Sequence, residues 1–125
     1  MQEFRNAIEA GDLDRLAALF TEEIVFRSPV VHAPYRGRDQ VMALLHAVSQ
    51  VFEDFRYTRQ IGAPGAADHA LVFRARVGDR EVEGCDFIHV GDDGLIDELY
   101  VMIRPLTGVL ALAEAMKRQL TLTGE

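Results

Sequence analysis

The sequence predicts an α+β fold, on three observations. Apolar residues recur at helical spacing through the first part of the chain, their period drops from 3.6 to 2 after Val51, and turn residues cut the period-2 region into four runs. A 3.6 period with one apolar stripe belongs to a helix with one buried face, and a period of 2 to a half-buried strand. Helices ahead of an antiparallel meander, with one more amphipathic segment behind it, define the class.

Each element follows from its own residues. Phe4 and Ile8 share a helical face over Gln2 to Ala10, and Leu13, Leu16, Leu19 and Phe20 do so over Asp12 to Phe20, with Gly11 between and Asp12 placed as an N-cap. Ile24 to Ser28 reads as a brief strand. Ser28 to Gly37 reads as a loop, because Pro29 and Pro34 remove donors and push their predecessors toward extended backbone. Val41, Leu44, Leu45, Val48 and Val51 make Asp39 to Val51 the clearest amphipathic helix.

Phe55 to Ile61 is then a strand, closed by Gly62-Ala63-Pro64-Gly65. Leu71, Phe73, Ala75 and Val77 alternate with Val72, Arg74 and Arg76, and Gly78-Asp79 turns the chain into Arg80 to Val90. Gly91-Asp92-Asp93-Gly94 turns it again into Leu95 to Arg104, which Pro105 stops. Val109, Leu112, Ala113, Met116 and Leu120 mark a last amphipathic helix with Lys117 and Arg118 near its C-terminus, where cations are favoured. A curved sheet set against helices leaves a blind pocket between its concave face and the helical layer.

Composition narrows the partners. A chain of 125 residues is the size of one domain, 1–125, and 49% hydrophobic with 26% charged residues is globular, with no tract polar enough for disorder. The net charge of −7 argues against nucleic acid or an anionic membrane, both of which ask for a basic face. No apolar run approaches the ~20 residues of a bilayer span. The first residues lack the basic and apolar regions of a signal peptide, so a cytoplasmic location is expected. The single cysteine, Cys85, excludes an internal disulfide and reads as a small packed hydrophobe.

There is no Gly-rich phosphate loop, zinc-spaced Cys/His cluster or nucleophile elbow, so neither cofactor nor metal is expected. Asp92-Asp93 is turn chemistry. The partner is therefore expected to be a small apolar or aromatic molecule, or another protein chain.

One residue breaks the pattern. Asp86 alternates in register with Gly84, Ile88 and Val90, which sets a carboxyl group among apolar side chains. Such a group needs a partner, Arg104 or a backbone donor for example, or its pKa rises until it is neutral. His32, four residues after Ser28 in the loop, is the histidine placed for proton transfer near neutrality, its alternative being a solvent-exposed loop side chain. His46 reads as boundary surface, His69 as a turn residue and His89 as convex-face. Arg74 and Arg76 read as an outward face paired with Glu81 or Glu83 across the hairpin. Tyr100 and Met102 alternate with Leu99 and Val101, and either set fits the cavity wall. The expected lining comprises Phe4, Ser28, Leu45, Phe73, Ile88, Tyr100, Met102 and Arg104.

The order of elements resembles the nuclear transport factor 2-like superfamily, which includes ketosteroid isomerases, SnoaL-type polyketide cyclases and limonene-epoxide hydrolases. The local likeness is to ketosteroid isomerase. It rests on Gly11-Asp12-Leu13-Asp14 followed by Ala18-Leu19-Phe20, on Ser28-Pro29-Val30 leading to Gly37, and on Asp86-Phe87-Ile88-His89 before a Gly-containing turn, and it spans Phe4 to about Met102. The resemblance implies a cone-shaped, curved, mixed or antiparallel sheet wrapped around the N-terminal helices, with a C-terminal helix added. It also implies a homodimer through the outer sheet face.

By the same resemblance Asp86 falls on the isomerase's protonated aspartic acid, which donates a hydrogen bond to a developing oxyanion. Phe4 falls where that enzyme has an oxyanion-hole tyrosine, and Ser28 where it has the aspartate that moves the proton, so ketosteroid isomerase activity itself is not expected. The implied function is a small-molecule-binding protein, with Asp86 stabilising an enolate and His32, through Ser28 or water, moving the proton in a cofactor-free isomerase, cyclase or lyase. Two alternatives stand beside it: a non-catalytic ligand-binding or dimerisation module, and an epoxide-hydrolase-like hydrolase, which wants paired carboxylates and an arginine.

Overall fold

The computed structural model describes residues 1–122, with side chains through Leu120; residues 123–125, the end of the expected single domain, lie outside it. Helix α1 spans Gln2–Ala10 and α2 Leu13–Ala17, followed by β1 Phe20–Arg27, β2 Tyr35–Arg36 and α3 Arg38–Val51. The meander comprises β3 Glu53–Ile61, β4 Asp68–Val77, β5 Arg80–Val90 and β6 Ile96–Arg104, and α4 spans Leu106–Leu122. The six strands form one unclosed sheet in the order β2-β1-β6-β5-β4-β3.

Gly11 ends α1 in the left-handed conformation, φ 66°, that glycine adopts without steric cost, and the Asp12 side chain then caps α2 by accepting from the Arg15 N–H at 3.1 Å. The second helix stops at Ala17 rather than reaching Phe20. The Leu19 carbonyl accepts from the Ile96 N–H at 2.8 Å and Phe20 pairs with Ile96, so the sheet captures backbone that a longer helix would have used. The first strand accordingly starts at Phe20, not Ile24, and lies parallel to β6, which makes the sheet mixed. In the loop after it the Ser28 Oγ accepts from the N–H groups of Val30 and Val31 at 3.0 and 3.3 Å.

The remaining pairs are antiparallel and settle which residues share a face. Asp86 stands opposite Leu71 on one side and Val101 on the other, Ile88 opposite Leu99, and Phe87 opposite Tyr100. Leu71, Phe73, Ile88 and Leu99 are buried on the concave face against Phe4, Leu16, Phe20, Ile24 and Val41 from the helical side and β1. Phe87, Tyr100 and Met102 are exposed on the other face. Arg74 pairs with Glu83 at 3.3 Å as expected, whereas Arg76 turns to Glu53 and Asp54 of β3.

Two glycines set close approaches. A Cβ at Gly84 would overlap the Phe73 ring, with Cε2 at 2.7 Å, and the Met102 carbonyl oxygen at 2.8 Å. One at Gly108 would lie 2.5 Å from the Val82 Cγ1, so the start of α4 is pressed against β5. No helix among the described residues is long and apolar enough to cross a membrane.

Candidate functional site

The concave face, the loop after β1 and four helices enclose a cavity of about 540 Å³. Its wall is mainly apolar: Ile8 and Leu13 from the N-terminal helices, Leu44 and Leu45 from α3, and Leu112 and Met116 from α4 border it. An aromatic group closes the side toward β3. Phe55 stacks on Phe73 at 4.8 Å, Tyr57 stands edge-on to Phe55 at 5.0 Å, and Phe52 lies 5.9 Å from both phenylalanines. Rings held in this way have few rotamers left, so the Tyr57 hydroxyl is aimed by packing.

That hydroxyl donates to Asp86 Oδ2 at 2.8 Å. Asp86 is half-buried and borders the cavity, and its Oδ1 has no hydrogen-bond partner among the described residues. Burial pushes the Asp86 carboxyl up to about 6, against which the Tyr57 hydrogen bond pulls it down. Burial, and then the Asp86 charge, holds the Tyr57 phenol far above its ordinary range, so it remains the donor in the pair. The carboxyl therefore titrates within reach of neutral pH. In its neutral form Oδ2 accepts from Tyr57 while the acid proton on Oδ1 is offered to whatever occupies the cavity.

The expected site residues divide. Asp86, Ser28, Leu45 and Phe73 border the cavity. Phe4 and Ile88 do not. Each lies on the expected face but is covered by the packed core, at 2% and 1% exposure. Tyr100 and Met102 face outward, because the register sets Leu99, Val101 and Ile103 on the cavity side of β6. Arg104 is exposed and lies 3.5 Å from Glu83, not beside Asp86. His32 is exposed in the loop and is not part of the cavity wall, so the pairing of Asp86 with His32 is not assembled.

The paired carboxylates and arginine wanted for epoxide hydrolysis are likewise not assembled. Among the described lining residues, Glu9 and Lys117 are the other charged groups, with no arginine. Cys85 points away from the cavity, and its thiol is pushed up by burial and then by Asp86, as suits a packed side chain and not a nucleophile. No three His, Cys, Asp or Glu side chains among the described residues come together to hold a metal ion.

Sequence reasoning missed Tyr57. The signal was present: Tyr57 alternates with Phe55 in a strand of the same sheet, the one aromatic there with a hydroxyl to satisfy a buried acid. Its distance in the chain from Asp86 hid the pair. The wall contributed by α4 was also left open by the sequence.

The SnoaL-like domain profile matches residues 1–99. The chain is similar to the solved structure of a steroid delta-isomerase from Pseudomonas aeruginosa, at 43% identity and TM-score 0.92 over 98% of this chain and 89% of that one. It is similar to an uncharacterised protein with a cystatin-like fold from Silicibacter pomeroyi, at 35% identity and TM-score 0.90 over 96% and 84%. A likeness of fold alone links it to SalBIII, an epoxide hydrolase/cyclase-like enzyme of pyran ring formation in salinomycin, at 19% identity and TM-score 0.67 over 86% and 88%. Among curated proteins none matches significantly.

Proposed function

The chain belongs to the SnoaL-like domain family, and from that premise we propose that its cavity binds a small, mostly apolar molecule carrying one oxygen acceptor, which takes a hydrogen bond from neutral Asp86. One observation carries this reading. The Tyr57–Asp86 hydrogen bond, 2.8 Å long, occupies one carboxyl oxygen and leaves the other at the boundary of an apolar cavity. A cavity of this size and lining suits a small organic molecule held by shape, with a single polar group fixing its orientation.

Native mass spectrometry of freshly purified protein tests it. A retained neutral molecule containing a carbonyl or hydroxyl oxygen is expected, and Asp86→Leu should lose it. An empty wild-type protein that binds no ketone or phenol from a test panel would overturn the reading.

A second reading, cofactor-free isomerisation or cyclisation, draws support from the 43% identity to a steroid delta-isomerase. In such a step Asp86 would donate to the oxygen on which negative charge develops. The proton acceptor is then not His32, which stands outside the wall, and Glu9 is the other carboxylate among the described lining residues. Incubation with steroid substrates of delta-isomerases, followed by ultraviolet absorbance, separates turnover from binding alone.

The outer sheet face supports a homodimer. Phe87 and Tyr100 meet edge-on at 6.5 Å and, with Met102, leave three large side chains 40–52% exposed at mid-sheet. Around them the charges are already paired within the chain, Arg27 with Glu98 at 3.1 Å and His89 with Asp97 at 2.6 Å, so a second copy can cover the patch without stranding a charge.

A further inference from the structure

We propose that Arg5 is a positioning residue for the Asp86 site, linking Glu9 on the cavity wall to the tyrosine that holds the acid. The inference rests on the reading of Asp86 as a donor, and it assigns a role to a residue that neither lines the cavity nor touches what binds there.

The geometry runs through four side chains. The Arg5 guanidinium carbon lies 5.9 Å from the centroid of the Tyr57 ring, and its Nη2 donates to the Tyr57 carbonyl oxygen at 3.4 Å. Its Nε meets Glu9 Oε1 at 3.4 Å, one helical turn further along α1. Glu9 borders the cavity. The far end of the tyrosine donates to Asp86. One guanidinium thus fixes the strand and the ring of Tyr57 from behind, while its charge is shared with a carboxylate on the cavity wall.

The consequence is electrostatic as well as steric. A cation over the ring favours negative charge on the phenol oxygen and makes its O–H a better donor, whereas Glu9 opposes this. Both effects act on Tyr57 in those directions. A stronger donor steadies the Asp86 carboxylate, so Arg5 holds the Asp86 midpoint down and Glu9 lets it rise. Among the described residues the ionisable groups around the pair and its cavity are Arg5 and Glu9 on α1, Tyr35 on β2, Cys85 beside Asp86 on β5 and Lys117 on the α4 wall.

Carbon-13 NMR titration of Asp86 in the full chain tests this, using the wild type, Arg5→Gln, Arg5→Lys and Glu9→Gln. Arg5→Gln should raise the Asp86 midpoint by about 0.5 pH unit, the size of a partly exposed cation–π contact. Arg5→Lys should restore most of the wild-type value, and Glu9→Gln should lower it. Repeating both substitutions in Tyr57→Phe separates this route from charge acting directly through space: shifts carried by the tyrosine hydroxyl vanish in that background, and shifts that persist unchanged overturn the proposal. No movement in Arg5→Gln, or a rise in Glu9→Gln, overturns the proposal. Should Arg5→Gln fail to fold, Arg5→Met takes its place in the same comparison. A wild-type midpoint near 4 would instead overturn the donor role of Asp86, while the signs of the two shifts continue to judge Arg5.

Discussion

Tyr57 reaches across an entire strand to meet Asp86. The two residues lie on β3 and β5, which are separated by β4, yet their side-chain oxygens are 2.8 Å apart. Strands two places apart are separated by roughly 10 Å, a gap that a phenol and a short carboxylate close only from the concave side of a bent sheet. The bond thus braces the curvature that makes the cavity and orients the acid at its floor.

Replacing that acid should stabilise the protein. Burial raises Asp86 from 3.8 to about 6, so the native state binds the extra proton in that window. The favourable contribution of the neutral acid is complete below about pH 4 and is lost as pH rises through about 6. Roughly two pH units correspond to about 3 kcal/mol. Asp86→Asn carries no charge and can still accept from Tyr57, so urea unfolding at about pH 8 should show a gain of roughly 2–3 kcal/mol, and a flatter profile between pH 4 and 6. Equal stabilities at pH 8 would contradict a buried carboxylate.

Tyr57→Phe removes the hydrogen bond that favours ionised Asp86. The Asp86 midpoint should move further up from about 6, because the opposing burial remains. Stability in acid, where the carboxyl is neutral, should fall by only about 1 kcal/mol. An NMR titration reads the first effect and chemical denaturation the second; a downward midpoint would reverse the assignment of the donor.

Gly84→Ala should injure the cavity without touching a polar group. The new methyl group would collide with the Phe73 ring and the Met102 carbonyl, and of the two only the ring can retreat, toward the cavity. Overpacking of this kind costs about 1–3 kcal/mol. Thermal unfolding should show the loss, and retention of a small molecule in native mass spectra should weaken with it.

Phe87→Arg should leave the cavity intact and separate the copies. Sedimentation of the wild type at micromolar concentration is expected to show a dimer, and the variant a monomer. A wild-type monomer would remove the outer face from consideration as an interface.

The period change after Val51 was enough to order the meander, and strand parity alone placed Asp86 on the concave face. Parity failed on β6, where Tyr100 and Met102 pattern as well as Leu99 and Val101, because both sets are large and apolar and only the register with β5 separates them. The end of α2 was illegible for a different reason: Leu19 and Phe20 continue a helical spacing, but their backbone is claimed by Ile96, far along the chain. Arg104 could not be assigned a partner from its type, since Glu83, opposite it in β5, competes with Asp86 for any cation there. Long-range pairing decided each of these cases, including Tyr57.

Helix α4 lies past residues 1–99, the portion shared with the family profile, and it is joined to the sheet by a tight seat of Gly108 on Val82. The chamber is consequently a cup of sheet and earlier helices, closed by a helix that follows the last strand. Changes confined to Leu112, Ala113 and Met116 would reshape the cavity wall while the acid, its tyrosine and the bent sheet beneath them stay as they are.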